Sequence, residues 1–354
     1  MALTLSGDGT ITGLAVGGLP DGTVDSGTLA TDSVTSANIA DGTITTDDIL
    51  ASDVVSLKSG RKNLIINGGF DVWQRGTTSS GGVAGTFTAD RWAHWAGDLA
   101  VSKQFDTTYG NFVRVRGNTT SPAYFTHRVE LPELYQNKTI TLSFFAKAST
   151  NIAVNQKVRV AHAGGDYDRD TVASFALTTS WQKFSYTIDV NGGAYSYNSS
   201  SYLEFQVISN VNMNAVDIDI AQVQAELGSV ATDFEHRSYG EELALCQRYY
   251  YSEDFTPYNV GFAFNTTQIT VNAIKFPVAM RVVPTITAIK PSHISTQGNW
   301  GIYYATNGWS TGYTPNFDSR TTQYIAPQFS GVGGVTNGSS YICNGWFSAS
   351  AELY

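Results

Sequence analysis

Apolar and polar residues alternate with a period of two through most of residues 63–239. Val113 and Val115 alternate with Arg114 and Arg116, and Ile140, Leu142, Phe144 and Ala146 with Thr141, Ser143 and Phe145. The same holds for Phe184, Tyr186 and Ile188, for Leu203, Phe205 and Val207, and for Val216, Ile218 and Ile220. Successive side chains of a strand point to opposite faces, so each run predicts a half-buried strand. Glycine-rich breaks such as Ala163-Gly-Gly165 and Asn191-Gly-Gly193 divide the runs. Many short strands divided in this way predict a β-sandwich. Beyond it, Val260–Phe264, Gln268–Phe276, Val282–Ile289, Gly301–Tyr304 and Tyr341–Ala351 read as further strands, with Pro277 and Pro284 at bends or edges.

A different pattern precedes the sandwich. Leu14, Leu19, Val24, Leu29, Val34, Ile39, Ile44, Ile49 and Val54 recur at every fifth position, with Gly, Thr, Ser, Ala and Asp prominent between them. Five fits neither a helix face nor a flat strand. It fits a chain that turns a corner every few residues and points one apolar side chain inward each time. Ordering costs about 1–2 kcal/mol per residue, so one apolar position in five does not build a core alone. A homotrimeric shaft that pools these side chains is therefore favoured over a single-chain solenoid or a flexible linker. One helix is expected over 238–252. Ser238 and Glu241 make a capping-box pattern there, and Leu243, Cys246 and Tyr250 share a face.

Composition narrows the picture. Charged residues are 14% of the chain and the net charge is −9, which opposes binding to duplex nucleic acid. No apolar run reaches the length of a membrane span, and no leader with a basic start and apolar middle opens the chain. Cys246 and Cys343 read as free thiols. Asp166, Asp168 and Asp170 alternate and form a weak hard-cation pattern without the glycine and glutamate of an EF-hand loop. No nucleophile elbow or phosphate loop occurs, so no catalytic residue is assigned.

The stretch NLIINGGFDVWQRG (63–76), with FTADRW (87–92), reads locally as a first strand at Leu64-Ile65-Ile66, a glycine break and a partner strand. These residues resemble the opening of the jelly-roll, carbohydrate-binding-module-like domain of many bacteriophage tail fibre proteins. The segment DIDIAQVQAELGSVATDFEHRSYGEELALCQRYYY (217–251) resembles its close. The resemblance implies an all-β homotrimeric fibre. It would comprise a virion anchor (1–13), a five-residue-repeat shaft (14–57), a jelly roll (58–237), a linking helix (238–252) and a receptor-binding tip (253–354). The implied partners are sister chains, a tail, baseplate or adaptor protein at the N-terminus, and host surface polysaccharide. The implied location is the virion. A head or collar decoration fibre, with the sandwich as a spacer, shares the same features. The family often carries a structural calcium near the first turn, where Asp71 is the matching residue; no other cofactor is implied.

Rings that stack on sugars belong in exposed loops beside amides or carboxylates. The candidates are Trp95, Tyr124, Tyr167, Tyr195 and Tyr197 in the sandwich, and Trp300, Trp309 and Tyr313 in the tip. Each loop tyrosine has an alternative packing role, and Trp300–Tyr313 reads equally as a trimer core or an adhesive loop. Trp73, Trp92 and Trp181 are read as core.

Overall fold

The alternating runs are strands, and their inward positions hold two sheets together. The computed structural model describes residues 4–5, 11–12, 61–79, 85–95, 99–118, 122–163, 165–168, 173–190, 196–254, 259–288, 300–304 and 308–353. The chain divides into residues 1–58 and 59–354. In the first unit, β1 (Thr4–Leu5) and β2 (Ile11–Thr12) pair antiparallel with Leu5 opposite Ile11. The five-residue repeat over 14–57 lies outside the described residues.

The second unit begins with β3 (Thr78–Ser79), β4 (Thr86–Phe87), β5 (Trp92–Trp95), β6 (Leu99–Asp106) and β7 (Gly110–Gly117). It continues through β8 (Pro122–Glu130), β9 (Lys138–Ala148), β10 (Ile152–His162), β11 (Gly165–Asp168) and β12 (Ala173–Leu177). Then come β13 (Gln182–Val190), β14 (Tyr202–Asn212) and β15 (Asp217–Leu227). One sheet runs β13-β9-β15-β7-β6-β3; the other runs β11-β10-β14-β8-β5-β4, with β12 also on β10. The late strands β14 and β15 insert between earlier ones, the crossed wiring of a jelly roll. Val113, Val115, Leu142, Phe144, Ile218 and Ile220 from the first sheet meet Phe125, Val158, Leu203 and Phe205 from the second in one core. Each such side chain, fully buried, contributes about 1.5–3 kcal/mol.

Leu64-Ile65-Ile66 is not a strand, against the sequence reading. Leu64 keeps one backbone bond to β15, its N–H donating to the Ala225 carbonyl (2.7 Å), and two asparagine side chains fix the rest of the segment. Asn63 Nδ2 donates to the Val223 carbonyl (3.1 Å), while its Oδ1 accepts from the backbone N–H of Ile65 (2.9 Å) and Ala225 (3.1 Å). Asn67, at φ 59°, donates to the carbonyls of Val72 (2.8 Å) and Asp90 (3.0 Å) and accepts from Val72 N–H (3.0 Å). The glycine break serves close approach: a Cβ on Gly68 would stand 2.1 Å from the Val223 carbonyl oxygen.

Helix α1 (Tyr239–Gln247) carries the capping box read from the sequence, with Ser238 as its N-cap, but it ends earlier than expected. Strand β16 (Tyr250–Asp254) follows at once. Next are β17 (Asn259–Ala263), β18 (Gln268–Val271), β19 (Ile274–Lys275), β20 (Thr285–Thr287), β21 (Trp300–Tyr304) and β22 (Gly308–Tyr313). The last are β23 (Asn316–Arg320), β24 (Tyr324–Ser330), β25 (Ser340–Asn344) and β26 (Trp346–Ser350). They make a sheet β16-β26-β20 and a larger one, β19-β24-β18-β17-β25-β21-β22, with β23 on β24. Tyr251, Phe347 and Ala349 from the first pack with Ile269, Val271, Ile302, Ile325 and Phe329 from the second. Among the described residues no helix is long and apolar enough to cross a membrane.

The opening motif binds the two sandwiches together. Gln74 Nε2 donates to the Tyr250 carbonyl (2.8 Å), and the Arg75 guanidinium lies 3.5 Å from the Tyr250 ring centroid. Arg75 and Arg91 both pair with the fully buried Glu352 carboxylate. Arg128 donates to the Leu353 carbonyl (2.8 Å), and Arg281 to those of Ala351 (2.9 Å) and Glu352 (3.1 Å). Helix α1 joins the same junction: Glu242 accepts the Asn67 N–H (2.6 Å) and pairs with Arg237, and Cys246 is fully buried. Burial lifts the Asp90 and Glu242 carboxyls above their ordinary range, against the pull of Arg75 and of the Asn67 N–H with Arg237.

Candidate functional site

Outward positions of the sheet centred on β15 carry an aromatic surface built from three segments. On β9 the inward residues are Ile140, Leu142, Phe144 and Ala146, so Phe145 and Lys147 face out. Phe145 lies opposite Ala221 of β15 and Lys183 of β13. The small Ala221 leaves room for rings from either side. Tyr109, in the β6–β7 turn, has its ring centroid 4.8 Å from that of Phe145 and 4.9 Å from that of Trp181. Trp181 also meets Phe112 edge-on at 5.3 Å, and Lys147 Nζ sits 5.0 Å from the Trp181 ring. Tyr109, Phe145 and Trp181 are each half-buried, so part of each ring stays open.

Local backbone chemistry fixes this cluster. Asp106 Oδ1 accepts the N–H groups of Thr108 (2.7 Å) and Tyr109 (3.2 Å), an Asx turn that presents the Tyr109 ring. These bonds, the one from Thr108 foremost, hold the Asp106 carboxyl below its ordinary range. Gln222 adopts φ 50° where the β15–β9 register shifts between Ala221 and Gln224, and its Nε2 donates to the Tyr109 carbonyl (3.3 Å). Beside the rings, Arg114, Asp219 and Lys147 form one cross-strand row. Arg114 grips both Asp219 oxygens (2.7 and 2.9 Å), and Lys147 stands 3.7 Å from the second. Two cations sharing one carboxylate leave donor capacity toward solvent. Open ring faces beside charged and amide groups can hold the apolar face of a sugar while polar groups meet its hydroxyls.

The residues singled out from sequence fall elsewhere. Trp95 and Tyr124 are brought together, opposite each other on β5 and β8, on the outer face of the other sheet. There Arg128 occupies the ring faces: its guanidinium lies 4.6 Å from the Trp95 ring and 4.1 Å from the Tyr202 ring, and its Nε is 2.6 Å from Glu204. Tyr197 packs against the sandwich core, and its hydroxyl accepts from Gln136. Tyr167 lies on β11 opposite Val160, with its side chain outside the described set, and Tyr195 lies outside the described residues.

Trp300 is wholly buried and is not a surface ligand residue. Its ring meets Phe329 and Phe317 edge-on, and its indole N–H donates to the Trp346 carbonyl (3.0 Å). Gly345 makes the space, since a Cβ there would stand 2.1 Å from the indole. Tyr313 is half-buried, its hydroxyl near those of Tyr304 and Ser310. Trp309 lies on β22 opposite Tyr303, its side chain again outside the described set.

The Asp71 carboxylate accepts from Asn111 Nδ2 (2.6 Å), and its backbone carbonyl accepts from Lys103 (3.0 Å). The Asp166 and Asp168 side chains lie outside the described set, and among the described residues no group of three or more His, Cys, Asp or Glu is placed to hold a metal ion. Tyr109, Phe145 and Trp181 are not among the rings that the sequence pattern marks as ligand candidates. The signal available was Phe145, an aromatic at a polar position of an otherwise clean alternation. Trp181, read as core, is half-buried on the outer face and lies outside the core cluster.

No family model matches the chain, and no curated protein matches it. Among solved structures it is similar to a carbohydrate-binding module of family 4, at 21% identity over 46% of this chain and 99% of that one, with a TM-score of 0.31. It is also similar to the enzymatically active domain of bacteriophage CBA120 tailspike protein 4, at 16% identity over 47% of this chain and 21% of that one, with a TM-score of 0.32. A third is the CBM22-1 xylan-binding domain of Paenibacillus barcinonensis Xyn10C, at 16% identity over 44% of this chain and 94% of that one, with a TM-score of 0.30.

Proposed function

We propose that this chain is a non-enzymatic adhesin of the phage tail fibre type, a homotrimer that binds host surface glycan. The observation that carries the glycan reading is the half-open ring cluster of Tyr109, Phe145 and Trp181 beside Lys147, Arg114 and Asp219. The fibre reading rests on the five-residue repeat and on the resemblance of the 63–92 and 217–251 segments. Weak single sites suffice when several copies on one particle engage together. Its place is then the virion, attached through the N-terminal segment.

The test is binding of the purified trimer to host surface polysaccharide, with Trp181→Ala alongside. Alanine at Trp181 is expected to weaken binding by roughly five- to tenfold, since stacking of one ring is worth about 1–1.4 kcal/mol. Unchanged binding by the variant would remove the platform from the mechanism. A second reading, a spacer in a decoration fibre, draws support from the outer face of the other sheet, where Arg128 already fills the space between Trp95 and Tyr202. Absence of any polysaccharide binding by the trimer would favour it.

A further inference from the structure

The larger C-terminal sheet carries a groove on the face away from its core. One cross-strand row runs from Asn316 of β23 to Gln328 of β24, Thr270 of β18 and Phe262 of β17. Strands lie about 4.8 Å apart, so these residues span about 14 Å, the reach of a short oligosaccharide. The polar part is a groove of about 470 Å³ lined by Thr270, Asn316, Asp318, Ser319, Ala326 and Gln328. Next to Thr270 in the row, outside the groove lining itself, stands Phe262, 51% exposed and flanked along the chain by the exposed Val260 and Phe264. Inward neighbours Ile269, Phe317, Ile325 and Phe329 are buried, which fixes the outward direction of the row.

Groups in the groove are oriented before any ligand arrives. Asn316 Oδ1 accepts the Asp318 N–H (2.7 Å), and its Nδ2 donates to one Asp318 oxygen (2.6 Å). Gln328 Nε2 leans on the Thr270 hydroxyl (3.5 Å), which leaves the Gln328 carbonyl to accept. The lining thus offers a carboxylate oxygen, amides and hydroxyls, all of which bond sugar hydroxyls, beside one open ring face. The lining holds one charged group, Asp318, with the Arg320 guanidinium 4.0 Å from it. That balance disfavours a carboxylate- or phosphate-bearing ligand.

We propose that this groove is a second glycan site, specific for a neutral oligosaccharide, with the sugar face on Phe262 and hydroxyls bonded by Gln328, Asn316 and Asp318. It extends the adhesion reading and rests on it: one chain grips glycan through chemically different sites on its two sandwiches. The test uses saturation-transfer NMR and titration calorimetry on the full chain with maltotriose, cellotriose, mannotriose and triacetylchitotriose. Trigalacturonate serves as the acidic control.

At least one neutral trisaccharide is expected to bind, and trigalacturonate is not. Phe262→Ala and Gln328→Ala are each expected to weaken binding by roughly tenfold, the scale of one lost stacking or hydrogen-bonding contact. The proposal is overturned if no neutral trisaccharide binds or if Trp181→Ala alone abolishes binding. It is also overturned if Phe262→Ala changes the mass in solution, which would assign that ring to a contact between copies. Polysaccharide binding with no groove-dependent trisaccharide signal would defeat the groove but leave the adhesion reading standing. Loss of both would defeat the two together.

Discussion

Arg75 Nη2 lies 2.9 Å from Glu352 Oε1, across 277 positions of sequence. Arg91 holds the other carboxylate oxygen from the opposite side, and the Glu352 side chain is wholly buried. The carboxylate of one sandwich therefore pairs with two guanidinium groups of the other, and Asp90, 3.4 Å from Arg75, supplies the second negative charge. Removing one partner from a buried pair costs about 3–5 kcal/mol, because the remaining charge stays out of water. Glu352→Gln is expected to lower unfolding stability by about that amount in denaturant titration. A loss below about 1 kcal/mol, the value of a surface pair, would show that water reaches the junction.

His127 gives the junction a pH dependence. Its ring is buried between Trp92 and the Ile66 N–H, which donates to Nε2 at 3.2 Å. Burial, and then the nearby Arg91 charge, hold it well below its ordinary 6.5. The unfolded chain then takes up a proton below about pH 6.5 that the folded chain refuses, so stability falls as pH drops through that window. The slope approaches about 1.4 kcal/mol per pH unit. Asp90 and Glu242, raised by burial, act with the opposite sign lower down, near the carboxylate range. His127→Gln is expected to flatten the curve between pH 7 and 5 in chemical unfolding at a series of pH values; an unchanged slope would assign the dependence to other groups.

The thiols supply a reporter of opening. Cys246 and Cys343 are free and fully buried. Burial raises both, Cys343 to about 12 and Cys246 well above the usual thiol value. A thiol that does not ionise does not react, so neither is expected to react with Ellman's reagent in the native protein at pH 8. Both should react once denaturant is added. Rapid reaction of Cys246 under native conditions would show that helix α1 lifts away from the junction.

Much of the fold was legible because strand alternation is a local signal. Ile140 to Ala146 and Leu203 to Val207 name their inward faces in the sequence, and Ser238 with Glu241 names the helix start. What was illegible depends on distant partners. Leu64-Ile65-Ile66 has the composition of a strand, yet only Leu64 bonds β15 through its backbone N–H, and the side chains of Asn63 and Asn67 hold the rest. Trp300 sits among loop-like residues but fills the space left by Gly345, forty-five positions away. The ring cluster needs Tyr109, Phe145 and Trp181 from separate segments, so only the outward Phe145 betrays it.

The span between Arg75 and Glu352 also bears on rates. Closing so long a loop carries an entropic cost that must be met before the ion pair gives anything back, and both sandwiches must be largely in place first. The clasp is then a late event, formed on the native side of the folding barrier. Weakening it should leave the refolding rate nearly untouched and speed unfolding instead. The buried Glu352 thereby sets how long the two sandwiches stay locked, so that persistence of the native chain is governed by a rate of opening rather than by an equilibrium alone.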